Sequence, residues 1–178
     1  AILDCVAAAV GEFDVRVQKR MLRAASYGLH FACKDETYRN KSPGRPSHEA
    51  VAFVRASRKL RVLNAIRRQA NGFAMTSAQY DAVMPKGVVA RLMAAGRPAL
   101  AASISEYLKL GRRVRDYARA MKASAFVSSL SHHSSMTDSQ IAEEAIRIIQ
   151  GKEKGGKKVQ NEDEISLSSP PSSGMYAS

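Results

Sequence analysis

Apolar residues recur at helical spacing along almost the whole of this chain, and this periodicity limits what it can fold into. In one stretch Val17, Met21, Ala25 and Gly28 follow one another at intervals of three or four residues. No run of strict apolar-polar alternation is long enough to predict a strand. Alanine is abundant and the aromatic share is 6%, which favours helices around a core of small and aliphatic side chains. We therefore predict an all-α fold.

Glycine, proline and capping residues divide the periodic sequence into separate helices. Ser47 is placed to cap a long helix that begins at His48, and Thr137 with Gln140 forms a capping box before the last helix. A short helix is predicted to end before Pro85, because proline removes a helical hydrogen bond. The sequence predicts helices over residues 2–10, 15–32, 48–70, 76–84, 88–95, 100–108, 112–126 and 137–150, and a loop over 128–135.

A chain of 178 residues with 45% hydrophobic content can bury a substantial core. Residues 88–95 and 100–108, joined through Gly96, predict an αα-hairpin. Hairpins of unequal length without a strict repeat are typical of an irregular α-solenoid, and a compact helical bundle is the alternative. From Gly151 onward the sequence is rich in Gly, Lys, Ser and Pro, which predicts disorder. The predicted organisation is an α-solenoid segment over residues 1–150 and a disordered low-complexity tail over residues 151–178.

The formal net charge is +12, and the excess lies before residue 151, because four lysines balance four acids in the tail. A basic body attracts nucleic acid, anionic lipid headgroups or an acidic protein, since all three respond to the same long-range field. The cations concentrate on two predicted helices, where they form either a docking surface or ordinary solvated faces. The candidate partner-contact residues are Arg55, Arg58, Lys59, Arg61, Arg67, Arg68, Arg112, Arg113, Arg115 and Arg119.

The sequence offers no residue constellation that supports catalysis or metal binding. Cys5 and Cys33 form no closely spaced pair, and His132-His133 lacks further ligands at metal-binding spacing. No serine lies in a nucleophile elbow, and no glycines form a phosphate or dinucleotide loop. We therefore predict no catalytic, cofactor-binding or metal-binding residues, no cofactor and no enzyme activity. No apolar run approaches the roughly 20 residues that span a bilayer.

Four blocks of sequence together resemble a known family. The blocks are Met21–Gly28, Arg58–Arg67, Thr76–Tyr80 and Ser105–Leu110. In that order and at about that spacing, they are similar to the mid-region of the vacuolar protein sorting-associated protein 16 family. The resemblance runs from about residue 15 to residue 150. Members of that family are subunits of the HOPS and CORVET membrane-tethering complexes.

The resemblance implies a non-enzymatic scaffold in transport from endosomes to the vacuole or lysosome. It also implies a cytoplasmic protein, peripheral on late endosomal, vacuolar or lysosomal membranes through its complex, whose partners are the other tethering-core subunits. Family members hold the Sec1/Munc18-type subunit through a distal portion that the resemblance does not reach. Lys59 stands where family members carry aspartate, and the loop over residues 34–47 and the tail depart from the family pattern.

The charge alone supports a competing interpretation. A small basic helical protein could bind nucleic acid through phosphate contacts, which need only a field of cations. The sequence shows no zinc-finger spacing, RNP-type aromatic segment or KH loop, and residues 88–110 fit a helix-turn-helix only in outline. Phosphate-dominated binding weakens steeply with ionic strength, whereas a packed apolar interface does not, so salt sensitivity separates the two interpretations.

Overall fold

The computed structural model describes residues 1–32, 46–69, 74–130 and 136–152. Within these ranges the chain forms helices and no strand, which confirms the all-α prediction. The helices are α1 (Ile2–Gly11), α2 (Val15–Ala32), α3 (His48–Gln69), α4 (Ser77–Ala94), α5 (Pro98–Tyr107), α6 (Arg112–Leu130) and α7 (Asp138–Gln150). The predicted disorder of the tail concerns residues that, from 153 onward, lie outside the described part of the chain.

Ala1–Arg68 together with Met75–Ser77 forms one compact unit, called unit one below. Its helices α1 and α2 pack against each other as a hairpin. Gly28, near the end of α2, lies against Ile2, at the start of α1, so the two helices run in opposite directions. A Cβ atom on Gly28 would lie only 2.8 Å from Ile2 Cγ1, so the missing side chain permits this close approach. Buried Val6, Ala25 and Ala56 form a small core at this junction.

Helix α3 begins at the predicted cap, where Ser47 Oγ accepts a hydrogen bond from the backbone N–H of Ala50 at 3.2 Å. The apolar face predicted for this helix is confirmed, because Ala56, Leu60 and Leu63 are buried. Towards its end the helix is buried around its whole circumference, since every residue over 62–66 is buried. This part of α3 is therefore a core element, although its sequence is rich in arginine.

Gln69–Ala74 together with Ala78–Ser178 forms unit two. Helices α4 and α5, predicted to form a hairpin over 88–108, follow one another across a turn at Gly96, φ 70°, but they are not among the closely packed helix pairs. The closely packed pairs in the unit are α5 with α6 and α6 with α7. Helices α5 and α6 bury small residues, Ala101 and Ala118, which permit close approach, whereas α4 buries Leu92 and valines. Each unit thus contains helices packed against their neighbours in sequence, as stacked hairpins require.

Two predicted boundaries differ from the structure. Residues 77–94 form two helical segments joined at Met84, whose φ of 64° and ψ of 154° are not helical, so the predicted break before Pro85 is present as a kink. The second segment starts at Pro85 because the fixed φ of proline suits a first helical position. Helix α6 continues to Leu130, so the loop predicted over 128–135 was wrong at its start; Ser129 Oγ donates to the carbonyl of Phe126 instead.

The last helix has the predicted capping box. Thr137 Oγ1 accepts from the N–H of Gln140 at 3.4 Å, and the Gln140 side chain accepts from the N–H of Thr137 at 3.0 Å. At the other end Gly151 adopts the left-handed conformation with φ 71°. Across the described ranges of the chain, no helix combines the length and the apolar character needed to cross a bilayer.

Candidate partner-contact site

The candidate cations of α3 differ widely in exposure. Arg55 and Arg58, three residues apart on the helix, are exposed. Arg61 is half-buried and Arg68 is exposed, and both make further contacts within the chain. The exposed pair, Arg55 and Arg58, offers guanidinium groups that a partner could reach without unfolding the helix.

Lys59 joins α3 to the start of α4. Its Nζ atom donates a hydrogen bond to Ser77 Oγ at 3.0 Å, and the bond is partly buried. The lysine therefore meets a neutral hydroxyl at the position where the family resemblance expects an aspartate. The bond holds Ser77, which belongs to unit one, against α3.

Arg67 is held inside unit one. Its guanidinium carbon lies 4.3 Å from the centre of the Phe13 ring, a cation–π distance. Nη1 donates to Asn64 Oδ1 at 3.4 Å, and Nη2 donates to the carbonyl of Met75 at 3.3 Å. Burial lowers the pKa of Arg67 from its usual value, but an arginine keeps its charge at neutral pH. The residue therefore links α3 to Phe13 and to the segment before α4.

A pair of buried amides lies next to Arg67. Asn64 Nδ2 donates to Gln18 Oε1 at 2.8 Å, and Gln18 Nε2 donates to the carbonyl of Glu12 at 2.8 Å. Gln18 is 2% exposed and Asn64 is 6% exposed. Because buried amides are costly unless they are hydrogen-bonded, this chain of bonds fixes α2 against α3.

The arginines of α6 are paired with acids inside unit two. Glu106, at the end of α5, accepts a hydrogen bond from Arg115 Nη1 through Oε2 at 3.5 Å, and its Oε1 forms an ion pair with Arg119 Nη2 at 2.5 Å. Asp116 lies 3.3 Å from Arg112 Nε and 3.6 Å from Arg119 Nη1. Arg113 is exposed on the same helix. A partner that bound Arg115 or Arg119 would have to compete with Glu106.

Sequence reasoning missed the most continuous set of exposed cations, which lies on α2. Arg16, Lys19, Arg20 and Arg23 are all exposed, and α2 contains no acidic residue. Their spacing of three and four residues was visible in the sequence and predicts one helix face. The denser arginine clusters of α3 and α6 drew the prediction instead, although much of their charge is neutralised or buried inside the chain.

The described residues give little support for a metal site or a catalytic pocket. Among the described residues, no group of three or more His, Cys, Asp and Glu side chains could hold a metal ion. The His132-His133 pair and Cys33 lie outside those residues. Unit two carries a shallow open cavity of about 460 Å³ with no acid, histidine or cysteine in its lining. That lining consists of Gln69, Gly96, Arg97, Pro98, Ala99, Leu100, Lys122, Ala125, Phe126, Ser129 and Ile148.

The four blocks that carry the family resemblance supply packing residues. Ala25 of the first block and Leu63 of the second are fully or almost fully buried, and Tyr80 of the third is 7% exposed. Ser105, in the fourth, is fully buried and donates its hydroxyl to the carbonyl of Ala102 at 2.8 Å. The buried residues of these blocks therefore contribute to how the helices meet.

Comparison with known proteins agrees with the resemblance. The family profile described as "Vps16, N-terminal region" matches residues 1–38, so the similarity includes α1, which lies before the residues that carry the motif resemblance. The protein VACUOLELESS1 of Arabidopsis thaliana is 37% identical over 114 residues, which make up 64% of this chain and 12% of that protein.

Two further relatives are similar over comparable lengths. Vacuolar protein sorting-associated protein 16 of Saccharomyces cerevisiae is 36% identical over 92 residues, covering 52% of this chain and 10% of the yeast protein. The Dictyostelium discoideum homologue is 36% identical over 110 residues, covering 62% of this chain and 12% of that protein. The aligned region thus spans about a tenth of the length of these relatives. In its profile match and in these relatives, the chain is similar to the vacuolar protein sorting-associated protein 16 family.

Proposed function

We propose that this chain is a non-enzymatic scaffold segment of a HOPS/CORVET-type membrane-tethering complex in endosome-to-vacuole or lysosome transport and membrane fusion. Similarity to the vacuolar protein sorting-associated protein 16 family carries the proposal, and the names of the yeast and Dictyostelium relatives refer to vacuolar protein sorting. The buried residues of the family-like blocks, such as Ala25 and Leu63, support it as well, because a scaffold acts through the shape of its core and the faces that the core holds in place.

The proposed partners are the other subunits of the tethering core. The chain would act in the cytoplasm, on late endosomal, vacuolar or lysosomal membranes, to which its complex holds it peripherally. The Sec1/Munc18-type subunit would bind a portion of the whole protein outside this chain. The open cavity of unit two has no carboxylate, imidazole or thiol in its lining.

Among the predicted contact residues, Arg55, Arg58 and Arg113 are best suited to meet a partner. All three are exposed, and each presents five hydrogen-bond donors to an acidic surface. Charged groups at the rim of an interface chiefly raise association rate and specificity. Lys59, Arg67, Arg115 and Arg119 bind groups within the chain, so we expect them to support the shape of the scaffold.

The pairing of arginines with carboxylates on α6 argues against nucleic-acid binding by that helix. A phosphate-binding surface needs several unneutralised cations on one face, yet three of the four candidates on α6 lie within 3.6 Å of a carboxylate oxygen. These carboxylates would repel phosphate where the alternative needs attraction. The alternative therefore becomes the competing outcome of the experiment.

The test is a pull-down with the tagged 178-residue chain from a nuclease-treated native lysate, washed at moderate salt, with mass spectrometry of the bound proteins. We expect the other tethering-core subunits to co-purify. An Arg55→Glu/Arg58→Glu variant should capture less, while a Lys86→Glu/Arg91→Glu variant on α4 makes the same change in net charge and should capture as much as the unmodified chain. Loss of all binding on nuclease treatment and at high salt would instead favour nucleic-acid binding.

A further inference from the structure

The exposed face of α2 combines cations and aromatic rings in one stripe. At 3.6 residues per turn, its members fall within a sector of about 120° around the helix axis. Tyr27 is 70% exposed and Phe31 is 64% exposed, and their rings stack with 6.5 Å between centroids. The basic stripe, as this face is called below, consists of Arg16, Lys19, Arg20, Arg23, Tyr27, His30 and Phe31.

Among the described residues, the two carboxylates that directly precede α2 accept bonds from backbone N–H groups at its start. Asp14 Oδ1 accepts from the backbone N–H of Arg16 at 2.7 Å, and Glu12 Oε1 accepts from the N–H of Phe13 at 2.7 Å. Among the described residues of unit one, ten Lys and Arg stand against four Asp and Glu, so the formal excess is ten minus four, or +6. The stripe therefore projects a positive field on its own side of the unit.

The opposite face of α2 is fixed against the rest of unit one. Gln18 and Ala25 are buried there, and Gly28 lies against Ile2 of α1. The helix is thus held along its length with the basic stripe turned to solvent. A surface of this kind can meet a flat layer along its side without any change in fold.

We propose that the basic stripe of α2 binds an anionic lipid membrane directly. Lys and Arg side chains near an anionic bilayer are attracted by its surface potential. Aromatic side chains favour the headgroup boundary, where one end of the side chain contacts apolar lipid and the other contacts water. A helix with a basic face and exposed aromatic residues lies in the plane of such an interface. Helix α2 contains no acidic residue, so an anionic headgroup meets no repelling charge along it. This contact goes beyond the proposed function, in which the complex alone holds the chain at the membrane.

The test is sedimentation of the purified 178-residue chain with phosphatidylcholine vesicles, with and without phosphatidylserine. We expect binding to the anionic vesicles only, weakening as salt is raised. Each cation contributes about fivefold to membrane partitioning, so an Arg20→Ala/Arg23→Ala variant should bind roughly 25-fold more weakly. An Arg55→Ala/Arg58→Ala variant removes the same charge from exposed positions of α3 and should bind within about twofold of the unmodified chain, since its cations lie outside the stripe.

A second pair of substitutions tests the aromatic part of the basic stripe. A Tyr27→Ser/Phe31→Ser variant should lose most of the binding that persists at high salt, because salt screens charge and leaves the contact of the rings unaffected. Circular dichroism should show the same helix content for every variant, as all the changed side chains are exposed. Equal weakening by the α3 control variant, or no binding to anionic vesicles, would overturn the proposal. Neither result would affect the scaffold proposal, since the lysate experiment does not depend on lipid.

Discussion

At the scale of single residues, polar side chains determine how the helices of this alanine-rich chain pack against one another. Gln18, Asn64 and Arg67 form a connected set of hydrogen bonds between α2, α3 and the segment before α4. Each would be unfavourable alone in the interior, because a buried polar group without a partner costs free energy. Together they specify one register for the packing of α2 on α3, which small apolar side chains alone would define only loosely.

Replacing Asn64 by alanine should destabilise the chain more than most single substitutions. Asn64→Ala leaves Gln18 Oε1 buried without its donor, and we expect a loss of about 2 kcal/mol in the free energy of unfolding. Urea denaturation followed by circular dichroism measures the loss. Ser103→Ala is the control, because the exposed Ser103 Oγ donates only to the carbonyl of Ala99 on its own helix.

The coupling between the two amides provides a sharper test. In a double-mutant cycle, the Gln18→Met/Asn64→Leu variant should lose about 1 kcal/mol less free energy of unfolding than the sum of the losses of the two single variants. The reason is that the second substitution removes a group that the first has already left unpaired. Additive losses would show that the bond at 2.8 Å contributes nothing of its own.

At the scale of helices, three ends share one hydrogen-bond pattern. Each of the helices α4, α5 and α7 is followed by a residue with positive φ. The backbone N–H of the next residue donates a hydrogen bond to the carbonyl five residues before it. These bonds join Arg97 to Leu92, Leu110 to Ser105, and Lys152 to Arg147. This is the Schellman motif, which glycine favours. Two of the three positive-φ positions are Gly96 and Gly151, and the third is Lys109 with φ 49°.

Lys109→Gly should stabilise the chain. A side chain in the left-handed region is strained by roughly 1–2 kcal/mol, and relief of that strain exceeds the entropy that glycine adds to the unfolded chain. We expect a net gain of about 0.5 kcal/mol in the free energy of unfolding. Ala120→Gly, at an exposed helical position of α6, should cost about 1 kcal/mol and serves as the control. Equal losses for both variants would contradict the strained conformation of Lys109.

Gly151→Ala should have the opposite effect. The new Cβ would take a left-handed conformation and would lie 2.7 Å from Cζ of Arg119, the arginine that pairs with Glu106. We expect a loss of about 2 kcal/mol in thermal or urea denaturation, from backbone strain and the displaced ion pair together. Gly11→Ala is a matched control, since nothing lies within 4 Å of its added Cβ, and it should be neutral or slightly stabilising.

At the scale of the whole molecule, charge is unevenly available to partners. The formal excess of +12 overstates the positive field at α6, because carboxylates from α5 and α6 lie close to its arginines. It understates the positive field at α2, because that helix contains no acidic residue. An interaction that depends on charge should therefore depend on which helix is changed, and less on the total charge removed.

We propose from composition that the tail lies outside the folded core. A chain that ends at Lys152 should unfold at the same temperature and urea concentration as the full chain, within about 0.5 kcal/mol, because a segment poor in apolar residues buries little surface. Thermal scans of the two chains by circular dichroism make the comparison. A clear loss of stability on truncation would show that residues 153–178 contribute to the core.

The sequence by itself determined the helical class and most helix bounds, because apolar spacing, the Ser47 cap and the Thr137 capping box act within one or two turns of the chain. Only the tertiary structure decided which cations remain available. Arg119 meets Glu106 across thirteen residues, and Arg67 meets Phe13 across a longer separation, so their environments depend on how helices are brought together. Local patterns specify each helix, whereas the pairing of side chains between helices is a property of the packed chain.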